Sequence, residues 1–315
     1  RPIDSSQRMA RGPGMTIDGG TRRRTVRRLL PWLRWGTVAV LVPVLVLDLA
    51  FPPPLPRASG SATVVTAADG TPLRAFADED GVWRYPADPT RVSPLYLQAL
   101  LNYEDRWFYR HPGVNPLALL RAAGQWLRSG GIVSGGSTLT MQVARILDGG
   151  DTRSIAGKLR QIARALQLEA RLSKDQILQL YLERAPYGGT IEGVEAASWA
   201  YLGKPASGLS HAEAALLAVL PQAPSRLRPD RHPDASRAAR DKVLARMQAL
   251  GTWTAAEVED ARIEPVVARS LQVPVHAALL AQRLCQARPG EQRIATTLDA
   301  ELQRVYPNRG KGHAG

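Results

Sequence analysis

Cysteine and histidine are scarce in this chain, and both shortages narrow the kinds of site that it can build. The 315 residues contain one cysteine, Cys285, which excludes an internal disulfide framework and a cysteine-rich metal site. The five histidines are scattered and show neither HxxxH nor HExxH spacing. No Gly-Lys-Ser/Thr occurs, so a Walker A loop is excluded as well. The sequence therefore predicts no metal site made of protein ligands.

Acidic residues are also few, because 28 Asp and Glu stand against 41 Lys and Arg and the formal net charge is +13. Such an excess favours an anionic partner, which could be nucleic acid, a phospholipid surface or a phosphorylated substrate. Nucleic-acid binding rests on charge alone, since no recognisable module accompanies it. The length allows one or two domains, at roughly 100–200 residues each.

The N-terminal residues predict a membrane anchor. Residues 1–34 contain nine arginines and two acidic residues, and the uncharged run "WGTVAVLVPVLVL" follows at 35–47. Counting from Leu29 to Phe51 gives 23 residues, enough for a span of about 20. We expect a basic cytoplasmic tail at 1–34, a transmembrane anchor at 35–51 and an extracytoplasmic remainder. A signal peptide cleaved near "ASGSA" (58–62) is the alternative.

After the anchor, the pattern predicts a short β-hairpin and then helices. "ATVVTAADGTPLRAF" (62–76) reads as two strands around Asp69–Gly70, and Ser93–Pro94 as the start of a helix. Three capping boxes predict further helix starts, at Ser173–Gln176, Ser210–Glu213 and Thr254–Glu257.

The first stretch that indicates chemistry is "NYEDRWFYRHPGVNP", residues 102–116. It places Glu104 and Asp105 beside Trp107, Phe108 and Tyr109. A carboxylate held among aromatic rings loses hydration and its pKa tends to rise, which makes it useful for proton transfer near neutral pH. A surface acid next to a small aromatic core is the alternative.

The second stretch is "GGIVSGGSTLTMQVARIL", residues 130–147, in which a glycine-rich turn opens into a helix. Backbone N–H groups of such a turn can approach an anion, and the helix N-terminus adds further donors. Ser137 and Thr138 can add hydroxyls and Arg145 a cation. An ordinary Ser/Thr helix cap after a loop is the alternative.

The third stretch, residues 152–174, predicts a helix with two faces. At 100° per residue, four arginines fall within about 20° of one direction, and four apolar residues fall opposite them. The arginines are Arg153, Arg160, Arg164 and Arg171, and the predicted core stripe is Ile155, Leu159, Ile162 and Leu166. Lys158 lies at the edge of this basic face. The face indicates phosphate binding, and a solvated basic face is the alternative. Together the three stretches suit transfer from a lipid diphosphate at a membrane surface.

The motifs resemble those of glycosyltransferase family 51, the peptidoglycan glycosyltransferases. "EDRWFYRHPG" (104–113) resembles the first motif, E-D-x-x-F-x-x-H-x-G, and "GGSTLTMQ" (135–142) the second, G-G-S-T-x-T-x-Q. Residues 153–161 occupy the third motif and "ILQLYLERAPYGG" (177–189) the fourth. "RAPYGGTIEGVEAASWAYLGK" and "LAVLPQAPSRLRPDRHP" are most like the 1C type of class A penicillin-binding proteins.

The resemblance implies a mainly α, lysozyme-like glycosyltransferase domain at residues 60–250, with a small β-hairpin or jaw near the membrane. It implies polymerisation of lipid II into glycan strands with inversion at the donor sugar and release of undecaprenyl diphosphate. The implied location is the bacterial inner membrane, crossed once. The implied partners are lipid II, the nascent glycan strand and other cell-wall synthases, with no nucleic acid.

The resemblance also implies roles for individual residues. Glu104 would be the base that deprotonates the acceptor 4-hydroxyl, and Asp105, Phe108 and His111 would position it. The donor diphosphate would be held by Ser137, Arg145, Arg153, Lys158 and Arg160. Gly136, Thr138, Gln142 and Gln161 would complete the pocket. The sequence demands no cofactor, and Mg²⁺ at the diphosphate is compatible with it.

The chain departs from the family pattern at three positions. Gln161 stands where glutamate is usual, Gly157 where arginine is usual and Glu183 where asparagine is usual. Glutamine can donate hydrogen bonds but carries no charge. The role of a second carboxylate at that place therefore stays open.

No S-x-x-K, S-x-N or K-T-G of a transpeptidase occurs. We expect residues 251–315 to be a linker and the truncated start of a transpeptidase module, without a proper packing partner. Two other functions stay open. A lysozyme-like hydrolase would need a second carboxylate about 5–9.5 Å from the first, and a non-catalytic, membrane-anchored lipid II-binding scaffold would need no base.

Overall fold

The computed structural model describes residues 48–55, 62–77, 81–118, 120–121, 124, 136–149, 154–266, 268 and 276–305. The chain divides into two units, Arg1–Pro52 and Pro53–Gly315. The predicted tail at 1–34 and residues 35–47 of the predicted anchor lie outside the described residues. Among the helices in the described ranges, none combines the length and hydropathy of a membrane span.

Helices make up most of the described part of the second unit, and the prediction of a mainly α fold is confirmed. The α-helices are α1 (Pro94–Glu104), α2 (Leu139–Asp148), α3 (Ile155–Arg171), α4 (Lys174–Arg184), α5 (Val194–Ala197), α6 (His211–Val219), α7 (Pro233–Ala249), α8 (Ala255–Ile263), α9 (Ala278–Ala287) and α10 (Ala300–Val305). A π-helical turn, Ser198–Leu202, follows α5.

The predicted helix starts are confirmed where the sequence carries a capping box. Ser173, Ser210 and Thr254 each accept a hydrogen bond from the third residue of the helix, whose side chain bonds back to the cap. Helix α1 also begins at Pro94 as predicted, but Ser93 makes no side-chain cap. Its hydroxyl donates instead to the Leu209 carbonyl at 3.4 Å, which ties the start of α1 to the segment before α6.

Two small three-stranded sheets accompany the helices. Strands β1 (Thr63–Thr66) and β2 (Pro72–Phe76) form the predicted antiparallel hairpin, and β6 (Arg293–Ala295) pairs with β1 in parallel. The second sheet has the order β3 (Trp83–Arg84), β5 (Ile191–Glu192), β4 (Pro186–Gly188).

For the described residues 276–305, the prediction that the C-terminal tail lacks a packing partner is wrong. Ile294 of β6 is fully buried against Val65 of β1 and Ala281 of α9. Apolar burial, at about 25 cal/mol per Å², together with the strand pairing holds this part of the tail on the hairpin.

The core is built around α6, which is apolar on almost every side. Residues 214–220 are all buried, as expected for a helix surrounded by others. Helix α6 packs against α7 and α1. Because α1 rests on this central helix, its last residue, Glu104, is held by the core rather than by a loop.

The predicted core stripe on α3 is wrong for three of its four residues, and Ile162 alone of the four packs against the core. Ile155 and Leu159 are each 61% exposed and Leu166 is 46% exposed. The buried residues are Gln161, Ala165 and Leu168, which lie on a face about 90° from the arginines. Helix α3 packs on α2 through this narrower face, where a small side chain and a hydrogen-bonding amide allow close approach.

Candidate active site

Glu104 ends α1 with both carboxylate oxygens hydrogen-bonded. Gln142 Nε2 donates to Oε2 at 2.7 Å, and Gln222 Nε2 donates to Oε1 at 2.6 Å. Burial raises the pKa of the Glu104 carboxyl above its ordinary value, while the two amides and the charge of Arg145 oppose that rise and Asp105 adds to it. The site therefore holds a carboxyl that is poorly hydrated and sharply oriented, as a general base requires.

Asp105, by contrast, is built into the scaffold. The His111 Nε2–H donates to both Asp105 oxygens at 2.9 and 3.0 Å, and the Leu139 amide donates to Oδ2 at 2.9 Å. A carboxylate only accepts, so His111 carries its proton on Nε2 when neutral. Leu139 is the first residue of α2, where a negative charge is favoured by the helix dipole. Asp105 thus joins the turn after α1 to the start of α2.

Phe108 and Thr138 strengthen the same junction. Phe108 is 1% exposed, with the Lys174 ammonium 4.6 Å from its ring centroid. The Thr138 hydroxyl donates to the Gly113 carbonyl at 2.5 Å and accepts from the Met141 amide at 3.2 Å. These contacts connect the first two predicted motifs, which are separated by a stretch outside the described residues.

A cavity of about 610 Å³ opens beside this junction. Both motifs line it, since its wall includes Glu104 and the turn 136–138. Four arginines also line it, namely Arg106, Arg110, Arg121 and Arg246. The cavity is large enough for part of a sugar-containing ligand, and its wall is strongly cationic.

A second cationic group lies at the same glycine turn. Lys158 Nζ donates to Ser137 Oγ at 2.5 Å and to Gln161 Oε1 at 2.9 Å. Burial, and then the charge of Arg145, lowers the pKa of the Lys158 amine. Arg145 acts electrostatically on both Glu104 and Lys158, so the predicted base and cations share one neighbourhood.

The remaining predicted residues differ in their placement. Arg160 forms an ion pair with Asp148, with Nε and Oδ2 2.6 Å apart, and its side chain is 60% exposed. Arg164 approaches the same carboxylate at 3.4 Å. Gln161 is buried, with no open face toward the cavity. Arg153 lies outside the described residues.

Gln222 and the four arginines of the cavity wall were not predicted from the sequence as site residues. Gln222 follows the proline that ends α6, and Arg246 lies on α7. A polar side chain directly after an apolar helix could have drawn attention to Gln222, whereas Arg246 is one of several basic residues on α7 and had no local signal of its own.

Metal ligands are not clustered in the part of the site that the structure describes. Within the described ranges, no group of three or more His, Cys, Asp or Glu side chains could hold a metal ion. A divalent cation at a bound diphosphate remains a prediction.

Comparison with known proteins identifies the family. The family model described as transglycosylase matches residues 69–248. Penicillin-binding protein 1C of Escherichia coli K12 is 57% identical over 257 residues, which are 82% of this chain and 33% of that protein. Penicillin-binding protein 1A of Pseudomonas aeruginosa is 35% identical, over 88% of this chain and 36% of that protein. The corresponding protein of Aquifex aeolicus is 39% identical, over 70% of this chain and 32% of that protein.

The chain thus spans about a third of the length of these curated relatives. The family predicted from the motifs is confirmed, and the identity to a 1C protein agrees with the predicted type. Since the matched residues make up more than half of the sequence, the chain belongs to the transglycosylase family.

Proposed function

We propose that the chain is a peptidoglycan glycosyltransferase, which polymerises lipid II into glycan strands with Glu104 as the general base. The proposal rests on one observation above all. A partly desolvated carboxylate, clamped by two amides, shares a neighbourhood with a glycine turn and the cations Arg145 and Lys158. Transfer from a diphosphate requires proton abstraction and charge stabilisation. The carboxylate supports the first requirement, and the cations support the second.

In the proposed reaction, the Glu104 carboxylate takes the proton of the acceptor 4-hydroxyl. The hydroxyl oxygen forms a bond to the donor anomeric carbon from the face opposite the leaving group, which inverts that centre. The bond from the anomeric carbon to the diphosphate oxygen breaks, and undecaprenyl diphosphate leaves with the bonding electrons. Lys158, Ser137 and Arg145 stabilise the charge on the departing diphosphate, and a contribution from Arg153 and Arg160 is the prediction from the sequence.

The proposal includes a lysozyme-like fold for residues 60–250 and a single N-terminal anchor in the inner membrane, with the catalytic domain outside. Such an anchor would keep the catalytic domain at the membrane that carries lipid II. The growing glycan strand and other cell-wall synthases are the proposed partners.

The test is polymerisation of labelled lipid II by the full chain in detergent, with products separated by size. Glu104→Gln should reduce the rate at least 100-fold, because general bases contribute about 10²–10⁴-fold. Glu259→Gln, the same change at a side chain that is 66% exposed on α8, is the matched control and should polymerise normally.

Unchanged polymerisation by Glu104→Gln would contradict the assigned role. Binding of lipid II without any polymer from the wild-type chain would indicate the scaffold alternative. Cleavage of preformed glycan would indicate the hydrolase.

A further inference from the structure

The side chain of Gln161 is buried, and both ends of its amide are engaged. Its Nε2 donates to the Met141 carbonyl on α2 at 2.6 Å, and its Oε1 accepts from Lys158 Nζ at 2.9 Å. Lys158 in turn donates to Ser137 Oγ at 2.5 Å. A continuous chain of hydrogen bonds therefore runs from the backbone of α2, through α3, to the glycine turn.

Helical geometry explains why Gln161 can reach Lys158. Residues three apart on a helix lie on one face, about 5–6 Å apart at their Cβ atoms. The Met141 carbonyl also has a second lone pair beyond the one used within α2. The amide can thus bridge a fixed acceptor on one helix and a flexible cation on its own helix.

An amide suits this place better than a carboxylate would. The group that faces the Met141 carbonyl must donate, and an ionised glutamate has no donor. Placed at the same 2.6 Å, a carboxylate oxygen would face another oxygen without a proton between them. The local structure therefore requires the neutral side chain that the sequence provides.

Lys158 needs such support because its stem has several rotatable bonds and its ammonium group would otherwise be drawn toward water. Arg145, the neighbouring cation on α2, repels it as well. Two acceptors, Ser137 Oγ and Gln161 Oε1, hold the ammonium against this repulsion.

We propose that Gln161 is a positioning residue of this site, which contacts no substrate and instead holds the Lys158 ammonium at the Ser137 end of the cleft. The inference rests on the proposed function, because the anion that Lys158 would meet there is the donor diphosphate. It replaces the expectation from the sequence that Gln161 itself binds substrate.

A double-mutant cycle tests the inference, with inorganic pyrophosphate as the probe. Affinity is measured by calorimetry for the full chain in detergent, for Gln161→Met, for Lys158→Met and for the double variant. Gln161→Met should weaken pyrophosphate binding about three- to tenfold when Lys158 is present, and by less than about twofold when Lys158 is replaced. Gln179→Met, the same change at an exposed amide on α4 whose Nε2 donates to Glu183 at 2.9 Å, is the control and should bind as the wild type does.

Thermal unfolding confirms that each variant is folded. Gln161→Asn, which keeps the amide but is one methylene too short to span both partners, replaces Gln161→Met if the latter does not fold, with the same expected pattern. An equal loss of affinity in both Lys158 backgrounds would show a merely structural role and overturn the inference. Failure of the wild-type chain to bind pyrophosphate would overturn it too.

Polymerisation of lipid II, measured on the same preparations, separates this inference from the proposed function. Coupling in the pyrophosphate cycle without polymerisation would leave the positioning role standing and reject the transferase. Polymerisation without coupling would reject the positioning role and leave the transferase standing.

Discussion

Replacing Gln142 with methionine would show whether the neighbours of Glu104 keep it ionised. Gln142 donates to one carboxylate oxygen at 2.7 Å and Gln222 to the other at 2.6 Å. Methionine has a similar length and no N–H donor, so the charged form of Glu104 loses a bond that favours it. The pKa of Glu104, which burial already raises, should therefore rise further.

The size of the effect follows from the exposure of the two amides. A hydrogen bond to a charged group is worth about 1.5–3 kcal/mol. Gln142 is partly buried, so we expect Gln142→Met to cost about 2 kcal/mol, or roughly 30-fold in kcat/KM on the acid limb. Gln222 is exposed and water can replace it, so Gln222→Met should cost only about 0.5–1 kcal/mol, or roughly two- to fivefold.

The assay is the pH dependence of kcat/KM for polymerisation of labelled lipid II. Because removal of a donor raises the pKa of the base, the acid limb should move to higher pH, with the loss shrinking toward the alkaline plateau. Gln179→Met is the matched control, since Gln179 Nε2 donates to the Glu183 carboxylate at 2.9 Å outside the cleft. Its acid limb should coincide with that of the wild type.

The reasoning would be refuted if folded Gln142→Met kept its acid limb in place or moved it to lower pH. It would also be refuted if Gln222→Met had the larger effect, because exposure would then not control the strength of the two bonds.

Three further predictions concern stability. Folding raises the pKa of Glu104, so above that pKa the ionised carboxylate destabilises the native state. Glu104→Gln should therefore raise Tm by a few degrees near about pH 8. Differential scanning calorimetry should show this gain vanishing toward about pH 4, where the wild-type carboxyl is neutral too. Asp105→Ala removes the acceptor of a buried imidazole and a helix amide and should cost about 3–5 kcal/mol in urea unfolding, while Asp105→Asn, which keeps one acceptor oxygen, should cost less. Gly113→Ala should cost about 3 kcal/mol or more, because φ is +79° and a Cβ would lie 2.6 Å from Glu169 Cγ. Gly149→Ala, with φ +62° and nothing within 4 Å, should cost only about 1–2 kcal/mol, and equal losses would show that the contact with Glu169 is unimportant.

Several elements could be predicted from the sequence because short-range chemistry determines them. A capping box needs only residues three positions apart, and all three predicted boxes form. The Asp69–Gly70 turn likewise connects β1 and β2 as predicted. The motif around Glu104 was recognisable because the base and the residues that support it are close in sequence.

Periodicity alone misjudged α3, and the reason is physical. It locates an apolar stripe but does not say which face will meet another helix. The packed face carries Ala165 and Gln161, because a small side chain and an amide that bonds across to α2 permit close approach. The apolar residues Ile155 and Leu159 stay exposed instead.

The sequence by itself determined the family, the motif that contains Glu104 and the helix starts marked by capping boxes. Each of these depends on residues within a few positions of one another. Only the tertiary structure decided that Gln222, 118 positions away, would clamp Glu104, and that β6 would pair with β1. Such contacts depend on how the helices pack around α6, and no local pattern encodes the distance between segments that far apart along the chain.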